Sequence, residues 1–169
     1  PVMGDGGSKY PTYTDEMCEA MKGLVDGADV LTPNLTEASI LTGIAYAGQD
    51  VDEVYIKDMM EALLGMGAKS VVLKGIVHEG ESIIRNYVSV TGGEIEEVSS
   101  ELLPYMLHGT GDLFASGLTA AIYAGESLLS AVEFAGSLVR HAMEITPEQP
   151  DYQVRGVSFE SVLGDVTAL

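Results

Sequence analysis

A short stretch of the chain combines glycine, hydroxyl and carboxylate groups in a pattern suited to phosphoryl transfer. Gly109-Thr110-Gly111-Asp112 precedes a run of apolar and small residues, 113–122, whose composition predicts a buried helix. Backbone N–H groups at the start of a helix have no partner inside it and lie at the positive end of its dipole. Because glycine has no Cβ atom, Gly109 and Gly111 leave these N–H groups accessible to an anion.

Asp112 is the candidate general base of this stretch. Its carboxylate could accept the proton of an attacking hydroxyl group while the N–H groups hold a phosphoryl group. A simpler interpretation stays open, an ordinary glycine turn in which Asp112 occupies the first helical turn because the dipole favours a carboxylate there. His108, directly before the glycines, is either a loop residue or a catalytic one, and no spacing of histidine and cysteine residues indicates zinc.

Two carboxylates follow predicted strands and are candidate magnesium ligands. Asp5 follows Pro1-Val2-Met3, which reads as the end of a buried strand. Glu37 follows a predicted strand over residues 28–31. Open α/β sheets bind ligands at the carboxyl ends of their strands, and Mg²⁺ prefers carboxylate oxygens. Each residue also has a structural interpretation, Asp5 as a turn residue and Glu37 as the partner of Asn34 in a capping box.

A lysine and a tyrosine complete the set of candidates. Lys74 follows the apolar strand predicted over residues 70–73, and its ammonium group could contact a phosphate. A lysine that extends from the sheet edge into solvent explains the same position. Tyr10 lies in a glycine- and hydroxyl-rich loop, residues 4–14, and is either a lid residue or an exposed loop aromatic.

Composition restricts the classes of protein to which the chain can belong. Its 169 residues are 46% hydrophobic, enough for one domain with a core. The net charge of −18 disfavours binding to nucleic acid or to an anionic membrane. Cys18 is the single cysteine, which excludes a disulfide framework within the chain and favours the cytoplasm. The start at Pro1, without an initiator methionine, leads us to expect a piece of a longer protein.

Helical and strand patterns alternate along the chain. Helical spacing predicts helices over 14–25, 52–66, 113–122 and 127–145, and a last helix within 151–169 after a short extended piece. Apolar runs and alternation predict strands over 28–31, 70–73, 82–90 and 94–100, the last two joined as a hairpin. This order predicts a layered α/β domain with a largely parallel sheet.

Four segments in sequence order resemble the C-terminal half of the ribokinase-like superfamily and, within it, the pyridoxal kinase family. They are Pro1-Val2-Met3-Gly4-Asp5, Thr32-Pro33-Asn34-Leu35-Thr36-Glu37, Val72-Leu73-Lys74-Gly75 and Gly109-Thr110-Gly111-Asp112. The resemblance extends to residues 151–155, which are similar to the family's closing strand. It implies a three-layer α/β/α fold with a mainly parallel central sheet, of which residues 1–169 would be the C-terminal, nucleotide-binding and catalytic part.

The resemblance also implies a role for each candidate residue. Asp112 would deprotonate the substrate hydroxyl, and residues 109–111 would form the anion hole around the γ-phosphoryl group. Asp5 and Glu37 would organise Mg²⁺, partly through water. Tyr10 would belong to a loop that closes over the site. The residues that would bind ATP are Thr32, Asn34, Lys74, Gly75 and Thr110.

The sequence before Asp112 distinguishes between branches of the superfamily. Sugar kinases usually carry Asp-Thr-x-Gly-Ala-Gly-Asp, whereas Leu107-His108 precede Gly-Thr-Gly-Asp here, which implies a vitamin-type substrate. Hydroxymethylpyrimidine kinases typically carry cysteine at the position of Asp112. The resemblance therefore favours ATP-dependent phosphorylation of the 5′-hydroxyl of pyridoxal, pyridoxine or pyridoxamine. The alternatives are a hydroxymethylpyrimidine kinase of thiamine synthesis and a nucleotide-binding fragment without catalysis.

The superfamily's N-terminal half supplies most of the vitamin pocket and is not in this sequence. We therefore expect little or no turnover from these 169 residues alone. Family members are commonly homodimers, so the resemblance implies a dimer for the full-length protein.

Overall fold

The computed structural model of the chain describes residues 3–167. It contains two compact units, Pro1–Ser99 and Ser100–Leu169, and each has its own apolar cluster. Pro1 and Val2 of the strand end predicted at the N-terminus lie outside the described residues. Among the described residues, the structure has no helix with the length and apolar character that crossing a membrane requires.

The first unit opens with a short hairpin. Strands β1 (Gly4–Asp5) and β2 (Ser8–Lys9) pair antiparallel, in a segment that the sequence predicted to be a loop. Gly6 and Gly7, both at positive φ, form the two-residue turn that joins the strands, a conformation open to glycine at little cost. We call residues 4–9 the Asp5 hairpin.

Two helices follow the hairpin, and both begin at side-chain caps. Helix α1 (Asp15–Lys22) begins after Thr14, whose hydroxyl accepts a hydrogen bond from the Met17 N–H, and it confirms the central part of the helix predicted over 14–25. Helix α2 (Leu35–Thr42) begins after Asn34 and ends at Gly43, which adopts a left-handed conformation.

A third helix and a three-stranded sheet follow helix α2. Helix α3 (Glu53–Gly65) confirms the helix predicted over 52–66. Its apolar face packs with strand β3 in the core, where Met59, Leu63 and Val71 are fully buried. Strands β3 (Ser70–Ile76), β4 (Ile83–Val90) and β5 (Glu96–Glu101) lie side by side in that order.

The sheet of the described residues is antiparallel where the sequence predicted a mainly parallel one. Strand β4 pairs antiparallel with β3, because β4 follows β3 through a short loop, whereas parallel pairing requires a long crossover. Parallel pairing in the described residues consists of two isolated bridges, Leu31 to Val71 and Asn34 to Lys74. The strand predicted over 28–31 is present only as the first of these bridges.

The second unit is built on two packed helices. Helix α4 (Thr110–Ala124) and helix α5 (Leu128–Ile145) confirm the two helices predicted there. They approach closely at Gly117, where a Cβ atom would lie 2.8 Å from Leu138 Cδ2. Turns of 3₁₀ helix cover Thr146–Glu148 and Glu160–Val162.

The C-terminal segment differs from its prediction. Residues 152–155, predicted to be extended and similar to a closing strand, form a one-turn helix, α6 (Tyr152–Arg155). The Asp151 carbonyl accepts hydrogen bonds from the N–H groups of Val154 and Arg155, so the local backbone bonds replace pairing with a strand. The predicted last helix is likewise a single turn, α7 (Leu163–Val166).

Candidate functional site

The start of helix α2 is closed by a reciprocal pair of hydrogen bonds. The Glu37 N–H donates to Asn34 Oδ1 over 2.8 Å, and the Asn34 N–H donates to Glu37 Oε2 over 2.9 Å. This confirms the capping box predicted from the spacing of the two residues. The N–H groups of Asn34 and Glu37 are therefore already satisfied within the chain.

Glu37 and Lys74 form a buried ion pair. Lys74 Nζ lies 3.6 Å from Glu37 Oε2, and the two residues are only 9% and 3% exposed. Glu37 Oε1 also accepts a hydrogen bond from the Met3 N–H over 3.2 Å. The alternative in which Lys74 extends into solvent is wrong, because strand β3 places its side chain beside Glu37.

The Asp5 hairpin lies on the start of helix α2. Asn34 Nδ2 donates to the Gly4 carbonyl over 3.0 Å, and the Gly7 N–H donates to Thr36 Oγ1 over 2.8 Å. Asp5 itself is exposed, and its Oδ1 accepts a hydrogen bond from the Gly6 N–H over 2.8 Å, as expected of a turn residue. The structure therefore brings the Asp5 segment and the Glu37 segment together.

These carboxylates fit a magnesium ion held largely through water and phosphate. Both oxygens of Glu37 already accept hydrogen bonds from backbone N–H groups, which favours contact with the ion through water. Asp5 is exposed and has one oxygen engaged in its own turn. Within residues 3–167 there is no cluster of three or more acidic, histidine or cysteine side chains able to hold a metal. Mg²⁺ commonly binds through one or two carboxylates with substrate phosphates, and this set is of that kind.

The other predicted nucleotide contacts lie along the same pair of segments. Thr32 is half-buried between the residues of the two parallel bridges, the second of which joins Asn34 to Lys74. Gly75 follows at a bulge in strand β3, with φ +80° and its N–H donating to Asn86 Oδ1 over 3.2 Å. The strand thus continues past Lys74, where the sequence predicted its end.

Tyr10, the predicted lid residue, follows the Asp5 hairpin. The residue is 43% exposed, and its N–H donates to the Met3 carbonyl over 3.0 Å. The described geometry thus places it next to the hairpin, and its role as a lid stays a prediction.

The start of helix α4, in the second unit, has no capping side chain. Gly109 precedes the helix at φ +87°, and the first bond inside the helix runs from the Leu113 N–H to the Gly109 carbonyl over 3.0 Å. In the part of the chain that the structure describes, the N–H groups of residues 110–112 have no hydrogen-bond acceptor. Such a start offers several donors to an anion.

Asp112 lies exposed in the first turn of helix α4. Within residues 3–167 its carboxylate forms no ion pair, whereas Glu37 is buried against a lysine. An exposed carboxylate beside open N–H groups can accept a proton from a hydroxyl group held there.

Gly156 and Val157, which the sequence analysis did not single out, contact the glycine loop at His108 and Gly109. The Val157 N–H donates to the His108 carbonyl over 2.9 Å, and a Cβ atom at Gly156 would lie 2.7 Å from that oxygen. A Cβ atom at Gly109 would lie 3.3 Å from Val157 Cγ1. The only sequence signal was a glycine directly after Arg155, which does not reveal the close approach of two backbones.

Comparison with curated proteins identifies relatives over most of the chain. The chain is 37% identical to the hydroxymethylpyrimidine/phosphomethylpyrimidine kinase of Haemophilus influenzae over 147 residues, 85% of this chain and 53% of that protein. It is 34% identical to the kinase of the same name from Bacillus subtilis, over 86% of this chain and 52% of that protein. The chain thus spans about half the length of the curated relatives it matches.

Solved structures with the same fold include enzymes of two names. A putative phosphomethylpyrimidine kinase from Bacteroides thetaiotaomicron, crystallised with pyridoxal, matches with a TM-score of 0.88 and 30% identity, over 99% of this chain and 59% of that one. The pyridoxal kinase from Lactobacillus plantarum matches with a TM-score of 0.84 and 26% identity, over the same shares. These matches confirm the predicted ribokinase-like α/β fold.

The family model described as phosphomethylpyrimidine kinase matches residues 1–155, which include all four of the segments that carry the candidate site. That family consists of kinases that act on hydroxyl groups. The chain therefore belongs to the phosphomethylpyrimidine kinase family, within the ribokinase-like superfamily.

Proposed function

We propose that the chain is the nucleotide-binding and catalytic part of an ATP-dependent pyridoxal kinase. The enzyme would transfer the γ-phosphoryl group of ATP to the 5′-hydroxyl of pyridoxal, pyridoxine or pyridoxamine. The observation that carries the proposal is the start of helix α4, where uncapped N–H groups and the exposed carboxylate of Asp112 lie within one helical turn. Phosphoryl transfer depends mainly on positioning and on neutralising charge, and these groups supply both.

In the proposed reaction the substrate hydroxyl oxygen attacks the γ-phosphorus and its proton moves to Asp112. The bond between the γ-phosphorus and the oxygen bridging to the β-phosphate breaks, and ADP leaves. The N–H groups of residues 110–112 donate to the phosphoryl oxygens as their charge develops. Mg²⁺, when bound, would neutralise phosphate charge, which matters in a chain of net charge −18.

The first unit would supply the remaining nucleotide contacts. Asp5 and Glu37 would organise Mg²⁺, and Lys74 would place its buried ammonium group near the phosphates. Thr32 and Gly75, on the neighbouring bridged segments, would contact the nucleotide. Both side-chain polar atoms of Asn34 are hydrogen-bonded within the chain, so we assign Asn34 to holding these segments around the nucleotide.

A hydroxymethylpyrimidine kinase of thiamine synthesis is the second candidate, and the names of the curated relatives favour it. The presence of aspartate at position 112 favours pyridoxal. Crystals of a relative 30% identical to this chain contain pyridoxal although that protein is named a putative phosphomethylpyrimidine kinase, so the family name is compatible with a B6 vitamer as substrate.

A substrate panel tests the proposed function. The full-length protein is supplied with Mg-ATP and, separately, with each B6 vitamer and with hydroxymethylpyrimidine, and ADP release is measured. We expect the highest kcat/KM with a B6 vitamer. A higher value with hydroxymethylpyrimidine identifies the second candidate, and ATP binding without turnover on any of them identifies a nucleotide-binding module.

Substitution of the proposed base tests the mechanism. Asp112→Asn removes the proton acceptor and leaves the N–H groups in place, so we expect kcat to fall about 10²- to 10⁴-fold with little change in the affinity for ATP. Glu133→Gln, which changes an exposed carboxylate on helix α5 of the same unit, is the control and keeps full activity. An unchanged kcat in Asp112→Asn would refute the base assignment.

Two properties of the whole protein are part of the same proposal. We place the enzyme in the cytoplasm, where ATP is supplied and the lone Cys18 stays reduced. We also propose a homodimer for the full-length protein, which sedimentation equilibrium would test.

A further inference from the structure

We infer that Thr36 is a positioning residue that, together with the ring of Tyr46, fixes the Asp5 hairpin on the start of helix α2. The inference rests on the proposed function, because it gives Asp5 its place in the nucleotide site. Neither residue was among the candidates from the sequence.

Thr36 contacts the hairpin through both branches of its side chain. The residue is 3% exposed, and its hydroxyl accepts the hydrogen bond of the Gly7 N–H over 2.8 Å. Its methyl group packs against strand β1, because Cγ2 would be 3.0 Å from a Cβ atom at Gly4. A buried β-branched side chain has few alternative rotamers, so these two contacts restrict where the turn lies, whereas the bond from Asn34 Nδ2 holds the first strand at Gly4.

Tyr46 covers the turn from the other side. A Cβ atom at Gly7 would lie 2.6 Å from Cδ1 and 2.7 Å from Cε1 of the ring, so the aromatic ring lies against the glycine backbone. The ring also packs on the core of the first unit. Burial, and next the negative charge of Asp5, raise the pKa of Tyr46, which is consistent with a hydroxyl group in the neighbourhood of that carboxylate.

The position of the Asp5 carboxylate depends on these contacts of the turn. Among the described residues, no residue outside the turn donates a hydrogen bond to this carboxylate. Its one described hydrogen bond, from the Gly6 N–H, lies within the turn itself. The position of the carboxylate relative to Glu37 is therefore set by how the turn is fastened to helix α2. We expect a loosened turn to leave the fold intact and to move Asp5.

The experiment uses amide exchange and a paramagnetic ion on the ¹⁵N-labelled chain. In Thr36→Val, which keeps the shape and removes the acceptor, the Gly7 N–H should exchange at least about fivefold faster, the loss of one hydrogen bond. Thr36→Ser should restore the wild-type rate. Thr42→Val is the matched control, because the Thr42 hydroxyl bonds the Ala38 carbonyl of its own helix and does not reach the hairpin.

Paramagnetic broadening by Mn²⁺, added with ADP, then measures how close Asp5 lies to the bound ion. In the wild-type chain the ion should broaden the amide signals of Asp5 and Gly6, and in Thr36→Val this broadening should weaken several-fold while signals at the end of helix α2 stay unchanged. Equal exchange of Gly7 in Thr36→Val and wild type would overturn the hydrogen-bond role of Thr36. Faster exchange with unchanged broadening would reduce Thr36 to a structural residue and would overturn its positioning role.

The two proposals fail in different ways. If Mn²⁺ and ADP do not broaden Asp5 even in the wild-type chain, the metal role of Asp5 in the proposed function is wrong, and the inference loses the site that it serves. Gly7 exchange would still differ between Thr36→Val and Thr36→Ser in that case, because fastening of the turn does not require nucleotide.

Discussion

Two helices in this chain begin directly after polar loops, and their first turns are built in opposite ways. At the start of helix α2 the side chains of Asn34 and Glu37 each accept a hydrogen bond from the other residue's N–H group, and Lys74 compensates the buried carboxylate. At the start of helix α4 a glycine takes the place of a capping side chain, the N–H groups of residues 110–112 have no acceptor among the described residues, and Asp112 is exposed.

This difference predicts a structural role for the start of helix α2 and a ligand-binding role for the start of helix α4. The N–H groups of Asn34 and Glu37 cannot be offered to a ligand without breaking the hydrogen bonds of the capping box, so we expect these residues to contribute through the segments that they hold together. An uncapped start loses the free energy that a cap would contribute to the helix, typically about 1 kcal/mol, and keeps its donors for an anion. We therefore expect substitutions at the first helix to act mainly on stability and those at the second mainly on binding and turnover.

The largest effect on stability should come from Glu37→Ala. The substitution leaves the buried N–H of Met3 without its acceptor and removes the carboxylate beside the buried Lys74, so we expect the free energy of unfolding of the first unit to fall by about 3 kcal/mol. Urea unfolding followed by circular dichroism measures it. Glu61→Ala, which removes an exposed partner of Lys57 at 3.8 Å, should leave the midpoint unchanged. Similar effects of both variants would contradict the structural role assigned to Glu37 at the start of helix α2.

A smaller effect, on binding, should come from Gly109→Ala. A Cβ atom at φ +87° and 3.3 Å from Val157 Cγ1 strains the loop and turns the N–H groups, so we expect the Kd for Mg-ADP to rise about tenfold. Isothermal titration calorimetry measures the affinity. Gly125→Ala is the matched control at the other end of the same helix, with φ +101° and open space around its Cβ, and it should change stability without changing affinity. Equal loss of affinity in both would mean that the loop has no special role.

The smallest effect should appear at high pH. Because the pKa of Tyr46 in the folded chain lies above its ordinary value of 10.0, its contribution to stability is complete below pH 10 and is lost as pH rises from there through the folded-state pKa. Tyr46→Phe should remove this part of the alkaline loss of stability. Asp5→Asn should lower the pKa of Tyr46 toward its ordinary value, measured by NMR titration of ¹³C-labelled tyrosine. An unchanged pKa would show that Asp5 lies further from the ring than the described hairpin places it.

The sequence predicted best what depends on local patterns. Helices α3 and α5 follow from apolar spacing, and the capping box of Asn34 and Glu37 follows from a three-residue spacing. The resemblance of four short segments was enough to identify the ribokinase-like fold and superfamily, both of which the comparisons confirm.

Local patterns could not predict contacts between segments that are distant in sequence. The burial of Lys74 against Glu37 depends on pairing between residues 40 positions or so apart, and the pattern around Lys74 fits solvent equally well. The Asp5 hairpin was predicted to be a loop because its glycines and hydroxyl residues are typical of one. Its contacts with Asn34, Thr36 and Tyr46 come from segments about 30 to 40 positions further along the chain. The one-turn helix at residues 152–155 replaced an expected strand because no strand of the described chain pairs with it.

The bond between Val157 and His108 has a consequence for where this protein can be cut. The family model stops matching at residue 155, yet the next two residues hold the loop that begins helix α4. A truncation designed from the limits of the family match would remove them and free the glycine loop from its support. The structural support of the glycine loop therefore extends beyond the residues that the family model matches, and a shortened variant meant to keep this loop intact has to include residues 156 and 157.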